Sequence, residues 1–465
     1  MKNLQFKNTV TAILQHLTAI LCGLILPRVI LAHYGSTLNG MVHSISSFLS
    51  YTVLIEFGIG AVIPAAFYKP LTEGDRDKIS AVIASGYKVY RKIAAAAGIY
   101  LLILIAIFPC VTKHQVSRET TTMLLIVSGI GTIVHYLLGA PENLLLISDQ
   151  KGYIAYGLST ASTICSTLLQ IVLVRADCSL AFVKLCGTFV GFIRIAIIYA
   201  YVHKNYEINT RISYDTEPIP QKWNGIAQHV AYFILEKTDI FLLTLFASLE
   251  EISVYSVYFM VVSGVRKIFN SVCYSIQPKL GELQARGESG VLNRFFQKFE
   301  RSIHLSTAVV YTIMGLLLVP FIRVYTEDIH DAQYIRPLLA GLMAAAYALQ
   351  SFRDPYDKLI LASGHFKQTQ NNYIIAACLN FIISLFAVIK WGTEGVVFGT
   401  VAAMLYQLIY MAFYDSRNLL KRPVSVFLKL IASDILLAGM IILIVKPLAG
   451  PAESIIRAIL SFIRL

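Results

Sequence analysis

Eight side chains stand out because they are charged or polar in a chain that is otherwise apolar around them: Arg28, Glu56, Glu236, Asp239, Tyr255, Arg266, Lys267 and Asn270. Their chemistry is that of holding an ion. In the run near 252–278, Tyr255, Ser263, Arg266, Asn270 and Gln277 fall on one stripe when residues are laid out at about 100° each. A guanidinium offers planar paired donors that match phosphate or carboxylate oxygens, so Arg266 and Arg28 are candidates for an anionic group. Lys267 points about 100° away from Arg266 and can instead snorkel along its stem. Arg28 follows Pro27, which can bend its helix, so its direction cannot be read from periodicity.

The acidic members suit the opposite charge. Glu236 and Asp239 share a face at i, i+3 and could bind a cation or neutralise an arginine. Asn224, Gln228 and Tyr232 extend that polar face, and Glu56 stands alone in the run near 38–66. Two polar-faced helices imply a wet interior; hydrogen bonds between helices of a dry bundle remain the alternative.

The elements that position these groups follow from composition. The chain has 465 residues, 56% hydrophobic and 14% charged, with a mean hydropathy of +0.66. Too few charges are present to coat a soluble particle of that size. A helix crosses a hydrocarbon core of roughly 30 Å in about 20 residues. Twelve such runs lie near 10–31, 38–66, 79–108, 120–148, 153–174, 180–202, 223–248, 252–278, 300–321, 335–362, 369–389 and 394–414, with a thirteenth near 424–446. The terminal "GPAESIIRAILSFIRL" reads as an amphipathic helix lying in the interface, with a short further crossing as its rival. The fold class is therefore an all-α integral membrane protein.

Lysine and arginine placement gives the orientation. With the N-terminus in the cytoplasm, 22 of these residues fall in cytoplasmic segments and seven in external ones, as the positive-inside rule expects. The net charge of +12 is then mainly a topology signal and calls for no nucleic-acid partner.

An internal repeat organises the crossings. Pro64 and Pro278 are 214 residues apart, as are Pro141 in "PENLLLISD" and Pro355 in "PYDKLILAS", and Gln15-His16 matches Gln228-His229 at 213. An even-numbered unit repeats in parallel, which predicts two pseudo-twofold-related six-helix lobes around a central cavity, plus one or two C-terminal helices. The lobes are expected at 1–210 and 223–420, joined by a cytoplasmic connector at 211–222 and followed by an extra crossing and tail at 421–465. In "RDPYDK", Arg353 with Asp357 and Asp354 with Lys358 are i, i+4 partners and are expected to neutralise one another. Pro141 and Pro355 are expected to be matching kinks.

Motifs for catalysis are missing. The seven cysteines contain no C-x-x-C, "GIGTIV" lacks the context of a dinucleotide loop, and no P-loop lysine motif occurs. An enzyme is not expected, nor is ATP hydrolysis by this chain.

The stretch "GSTLNGMVHSISSFLSYTVLIEFGIGAVIPAAFYKPL", the "FQKFE" ending at Glu300, and "GHFKQTQ" followed by "GTEGVVFGT" resemble bacterial polysaccharide flippases of the multidrug/oligosaccharidyl-lipid/polysaccharide exporter superfamily, over about residues 5–420. The resemblance implies a flippase in the bacterial cytoplasmic membrane. It would move undecaprenyl-diphosphate-linked oligosaccharide from the inner to the outer leaflet by alternating access, for assembly of an O-antigen, capsule or teichoic-type glycan. It implies membrane lipids, a polysaccharide polymerase and other assembly proteins as partners. No cofactor is expected beyond a coupling ion, Na+ or H+. Arg266, Arg28, Lys267, Asn270 and Tyr255 then become candidates for the diphosphate or sugar, and Glu56, Glu236 and Asp239 candidate coupling or cavity acids. The alternative in the same superfamily is a cation-coupled exporter of amphipathic small molecules.

Overall fold

A computed structural model describes residues 2–56, 59–113, 115–209 and 226–460. Among them there are helices and no strands. Nine helical segments among the described residues are long and apolar enough to cross a membrane. Phe386, Ile389, Leu436 and Leu443 are each 69–78% exposed, an outer surface that suits hydrocarbon and would be a liability in water. The all-α membrane fold in two lobes expected from the sequence is the fold observed. The chain divides into two compact units, Met1–Ile226 and Ala227–Leu465. The connector expected at 211–222 lies outside the described residues, as does Asn224.

Unit 1 holds α1 (Lys2–Ser50), α2 (Thr52–Glu56), α3 (Ile59–Glu73), α4 (Arg76–Val111), α5 (Arg118–Leu138), α6 (Ala140–Ser148), α7 (Gly152–Arg175) and α8 (Leu180–Tyr206). The backbone of α1 runs helically through Pro27 and breaks at Gly35, with φ 81° and ψ 175°, a conformation open to glycine and costly for a residue with a Cβ. Asp75 caps α4 by accepting from the Lys78 amide at 3.0 Å. The Lys78 ammonium and amide bonds hold its carboxyl below the usual range. Asn8 ties α1 to the start of α7, donating to the Gln150 carbonyl and accepting from the Tyr153 amide, both at 2.7 Å. The core gathers Phe67 from α3, Ile83, Tyr87 and Tyr90 from α4, Tyr136 from α5 and Leu145 from α6.

Unit 2 holds α9 (Ile226–Phe246), α10 (Leu249–Ala285), α11 (Ser289–Tyr325), α12 (Pro337–Ala362), α13 (Phe366–Tyr414), α14 (Ser425–Val445) and α15 (Ala449–Leu460), with a π turn at Asp415–Leu419. Helix α12 is central, packing on α10, α11 and α13. Helix α13 is two helices joined at Gly392, with φ 55° and ψ −129°. The "GTEGVVFGT" glycines follow from that hairpin. A Cβ on Gly395 would stand 2.2 Å from the Ala387 carbonyl oxygen, and one on Gly399 would stand 2.1 Å from Ser384 Oγ and 2.8 Å from the Ser384 amide nitrogen. The two arms approach backbone to backbone. Helix α15 has 12 described residues, fewer than the about 20 that a crossing takes, and is tied to the last turn of α11 by Arg323–Glu453 at 2.9 Å and to the turn after it by Arg457–Glu327 at 2.7 Å.

The paired prolines do different things. Pro141 is the second residue of α6, after a break at Gly139, in the first turn where an amide has no partner within the helix to lose, whereas Pro355 lies inside the unbroken α12. The expectation of matching kinks is corrected on that point.

Candidate functional site

Two buried polar layers lie in unit 2. In the first, Asp239 on α9 accepts from Tyr255 on α10 at 2.8 Å and from Thr400 on α13 at 2.9 and 3.1 Å. Its two oxygens have the acceptor capacity for both hydroxyls. Close by in the fold, Asn380 donates to the Leu235 carbonyl at 3.2 Å, and Ser384 bridges Asn380 Oδ1 and the Val396 carbonyl at 2.9 and 3.0 Å. One helical turn before Asp239, Glu236 accepts from Gln350 on α12 at 2.6 Å. The α9 side chains of Gln228 and Tyr232 lie outside those described.

In the second layer, Arg266 on α10 donates to both oxygens of Asp354 on α12, at 2.5 and 2.9 Å. Arg353 reaches the same carboxylate at 3.5 Å and donates to Gln407 on α13. Lys358 pairs with Asp357 at 3.0 Å and sits 3.8 Å from the centroid of the Tyr274 ring. Asp357 also accepts from Tyr373. The expected i, i+4 partners in "RDPYDK" are therefore corrected. Asp354 turns to a neighbouring helix because a guanidinium there can serve both of its oxygens, and Asp357 keeps the adjacent lysine and a tyrosine.

The remaining candidates scatter. Lys267 is exposed, and Asn270 and Glu236 are half-buried, so Arg266, Tyr255 and Asp239 are the members that share the buried interior of unit 2. In unit 1, Arg28 is buried, and Glu56 on α2 accepts from Tyr90 at 2.9 Å.

Several polar groups were not among the site candidates read from the sequence. Glu142 on α6 is fully buried and accepts from Tyr87. Arg194 on α8 donates to Ser159 at 3.3 Å, and Gln15 on α1 donates to the same hydroxyl at 3.1 Å. Glu300 on α11 is clamped by Arg422, and His304 meets Asp434 on α14. Glu142 sits in the "PENLLLISD" phrase that the repeat had already marked, so its charge in an apolar run was the available signal. Arg422 and Glu300 are 122 residues apart, and no local pattern joins them.

This architecture is that of a polytopic helical membrane protein. No protein-family model matches the chain, and no curated protein matches its sequence. Among solved structures, it is similar to the lipid II flippase MurJ in its inward closed conformation, with a TM-score of 0.64 and 15% identity over 99% of this chain and 98% of that one. It is also similar to the MATE multidrug transporter DinF-BH, at 0.58 and 13% identity over 90% and 95%. The eukaryotic MATE transporter AtDTX14 gives 0.52 and 11% identity over 98% and 99%. At these identities the likeness is one of fold.

Proposed function

We propose that the chain is a flippase for undecaprenyl-diphosphate-linked oligosaccharide, moving it from the cytoplasmic to the outer leaflet of a bacterial cytoplasmic membrane by alternating access. The observation that carries this reading is the buried guanidinium of Arg266, held ready by both oxygens of Asp354. A charge at membrane depth costs roughly 2.5–3.5 kcal/mol on insertion scales, and an acidic partner compensates it until a ligand arrives. A diphosphate presents the same paired oxygens as a carboxylate and more negative charge, so it can exchange with Asp354 on Arg266. Within unit 1, Arg28, buried on α1, is a separate candidate for an anionic group. Asn270 and Lys267 extend the same helix toward sugar and headgroup.

The chain-long likeness to a lipid II flippase supports this choice over drug export, its TM-score being higher than those of the multidrug transporters compared. Asp239 is the candidate for a coupling Na+ or H+, with Glu236 and Glu56 as further acids. The same oxygen-rich layer around Asp239 favours the second reading, a cation-coupled exporter of amphipathic small molecules.

Reconstituted protein separates the two. A fluorescent undecaprenyl-diphosphate oligosaccharide should become accessible to an external glycosidase only in vesicles that contain the protein, while a cationic dye should not be expelled. Dye efflux with no movement of the lipid would replace the first reading by the second. The topology has its own test: a reporter at 203–222 should lie in the cytoplasm and one at 325–332 outside.

A further inference from the structure

Unit 2 contains a chain of buried hydrogen-bonding groups that the proposed transport site does not use. Asp434, midway along α14, has Oδ2 2.7 Å from Nδ1 of His304 on α11. The other ring nitrogen, Nε2, is 3.3 Å from the hydroxyl of Tyr356 on α12. That hydroxyl donates to Oε1 of Glu300 at 2.6 Å, and Arg422 grips both oxygens of the same carboxylate. Asp434, His304, Tyr356 and Glu300 are all buried.

The three links from Asp434 to Glu300 need three protons. An ionised carboxylate only accepts, a neutral imidazole carries one N–H, and a phenol carries one O–H. With both carboxylates ionised and the imidazole neutral, two protons are present. The imidazole proton serves Asp434 from Nδ1 and the phenol proton serves Glu300, which leaves the Nε2 lone pair facing the phenol oxygen. Turning the phenol toward His304 would only move the deficit to Glu300. One more proton, on Nε2, completes every link. Arg422 supplies N–H donors to both oxygens of Glu300 and so favours its ionised form, which directs the extra proton to the imidazole. The Nε2 to phenol link, the one that lacks a proton in the neutral state, is also the longest.

We propose that unit 2 binds one proton at His304, closing the chain Asp434, His304, Tyr356, Glu300. The groups that face it favour a cation. Asp434 comes from α14, and Tyr356 and the Phe352 ring, 4.8 Å away, come from α12. On α11 itself Glu300 is one turn away, and Asp415 and Arg422 lie behind it. Arg301 and Lys429 line the open cavity of about 610 Å³ that Glu300 and Asp434 also border, and water there can deliver the proton. Occupancy matters to the fold, because α14 buries only Phe427 and Asp434. The site stands on this geometry whatever the transported molecule is.

The test uses the full chain labelled with ¹⁵N-histidine in a lipid nanodisc, since imidazolium and neutral imidazole nitrogens resonate apart. A signal absent from His304→Gln should remain imidazolium when the proton concentration is at least tenfold below that at which the exposed His330 has become neutral. In Tyr356→Phe, which keeps the ring contacts with Phe427 and Phe296, neutralisation should move to a proton concentration several-fold higher. If His304→Gln does not fold, Asp434→Asn serves for assignment, because it shifts the same signal alone. A His304 ring that is neutral wherever His330 is neutral overturns the proposal. So does a Tyr356→Phe titration unchanged from the parent, because the proton would then be held by Asp434 without the chain.

Discussion

Arg266 and Asp354 face each other across α10 and α12 as a bidentate pair, 2.5 and 2.9 Å, with Asp354 wholly out of contact with the surroundings. The pair joins a helix read from the sequence as a binding face to one read as scaffold. The charge of Arg266 is compensated by a residue 88 positions away. The stability and the activity of Arg266 therefore have to be separated by substitution.

Removing one partner of a buried pair strands the other, at a cost of about 3–5 kcal/mol. Asp354→Ala and Arg266→Ala should each lower the folded yield in detergent and the melting temperature, whereas the double change Arg266→Met with Asp354→Leu should recover only part of that loss, because Arg353, 3.5 Å from the same carboxylate, loses its anion and keeps Gln407. Size-exclusion profiles and thermal melts of the three proteins check this. Equal yields for the single and double variants would show that the two charges are not coupled.

Activity needs a gentler change. Arg266→Lys keeps a cation for Asp354 and gives up the planar fork that matches phosphate oxygens. The lysine variant is expected to fold near parental levels and to move the lipid-linked oligosaccharide roughly tenfold more slowly, the loss of about 1.4 kcal/mol of binding. Parental flipping rates in a reconstituted assay would remove Arg266 from the substrate path.

The apolar runs were legible because hydrophobic length is a property of a segment alone: 79–108, 153–174 and 335–362 all fall inside helices or within two residues of one. The polar stripe of Tyr255 and Arg266 was legible for the same reason. What could not be read was which helix each polar face meets. Asp354 had a lysine at i+4 and took an arginine from α10 instead. His304 and Asp434 lie 130 residues apart in segments of different character. The break at Gly35 was hidden behind Pro27, because proline in a helix interior is the stronger local signal and the glycine reveals itself only through φ.

The α13 hairpin makes a sharp steric prediction. A methyl group on Gly399 would meet the Ser384 hydroxyl, which can rotate away, but also the Ser384 amide nitrogen at 2.8 Å and the Asn380 carbonyl oxygen at 3.0 Å, which cannot. Gly399→Ala should force the arms apart and cost about 1–3 kcal/mol, seen as a fall in melting temperature. Gly341→Ala and Gly439→Ala, whose added Cβ would have open space within 4 Å, are the matched controls and should melt like the parent or slightly above it. An unperturbed Gly399→Ala would mean that the two arms are not in backbone contact.

The layer around Asp239 separates structure from ion handling. Asp239 accepts from Tyr255 and Thr400 together, and an asparagine offers one acceptor oxygen where the carboxylate offers two. Asp239→Asn should therefore keep most of the fold, lose one hydrogen bond worth about 1 kcal/mol, and remove the negative charge that a Na+ or a proton would meet. Glu236→Gln is different, because its partner Gln350 donates to a single oxygen and an amide oxygen can still accept. If Asp239 is the coupling acid, transport by Asp239→Asn should no longer respond to an imposed Na+ or pH gradient, while Glu236→Gln retains that response. Thr400→Val, which deletes one donor and leaves the charge, should weaken the response without abolishing it. A gradient response in Asp239→Asn equal to that of the parent would assign Asp239 to the scaffold, and the coupling ion would have to be sought at Glu56 in unit 1, where the Tyr90 hydroxyl already donates to one carboxylate oxygen.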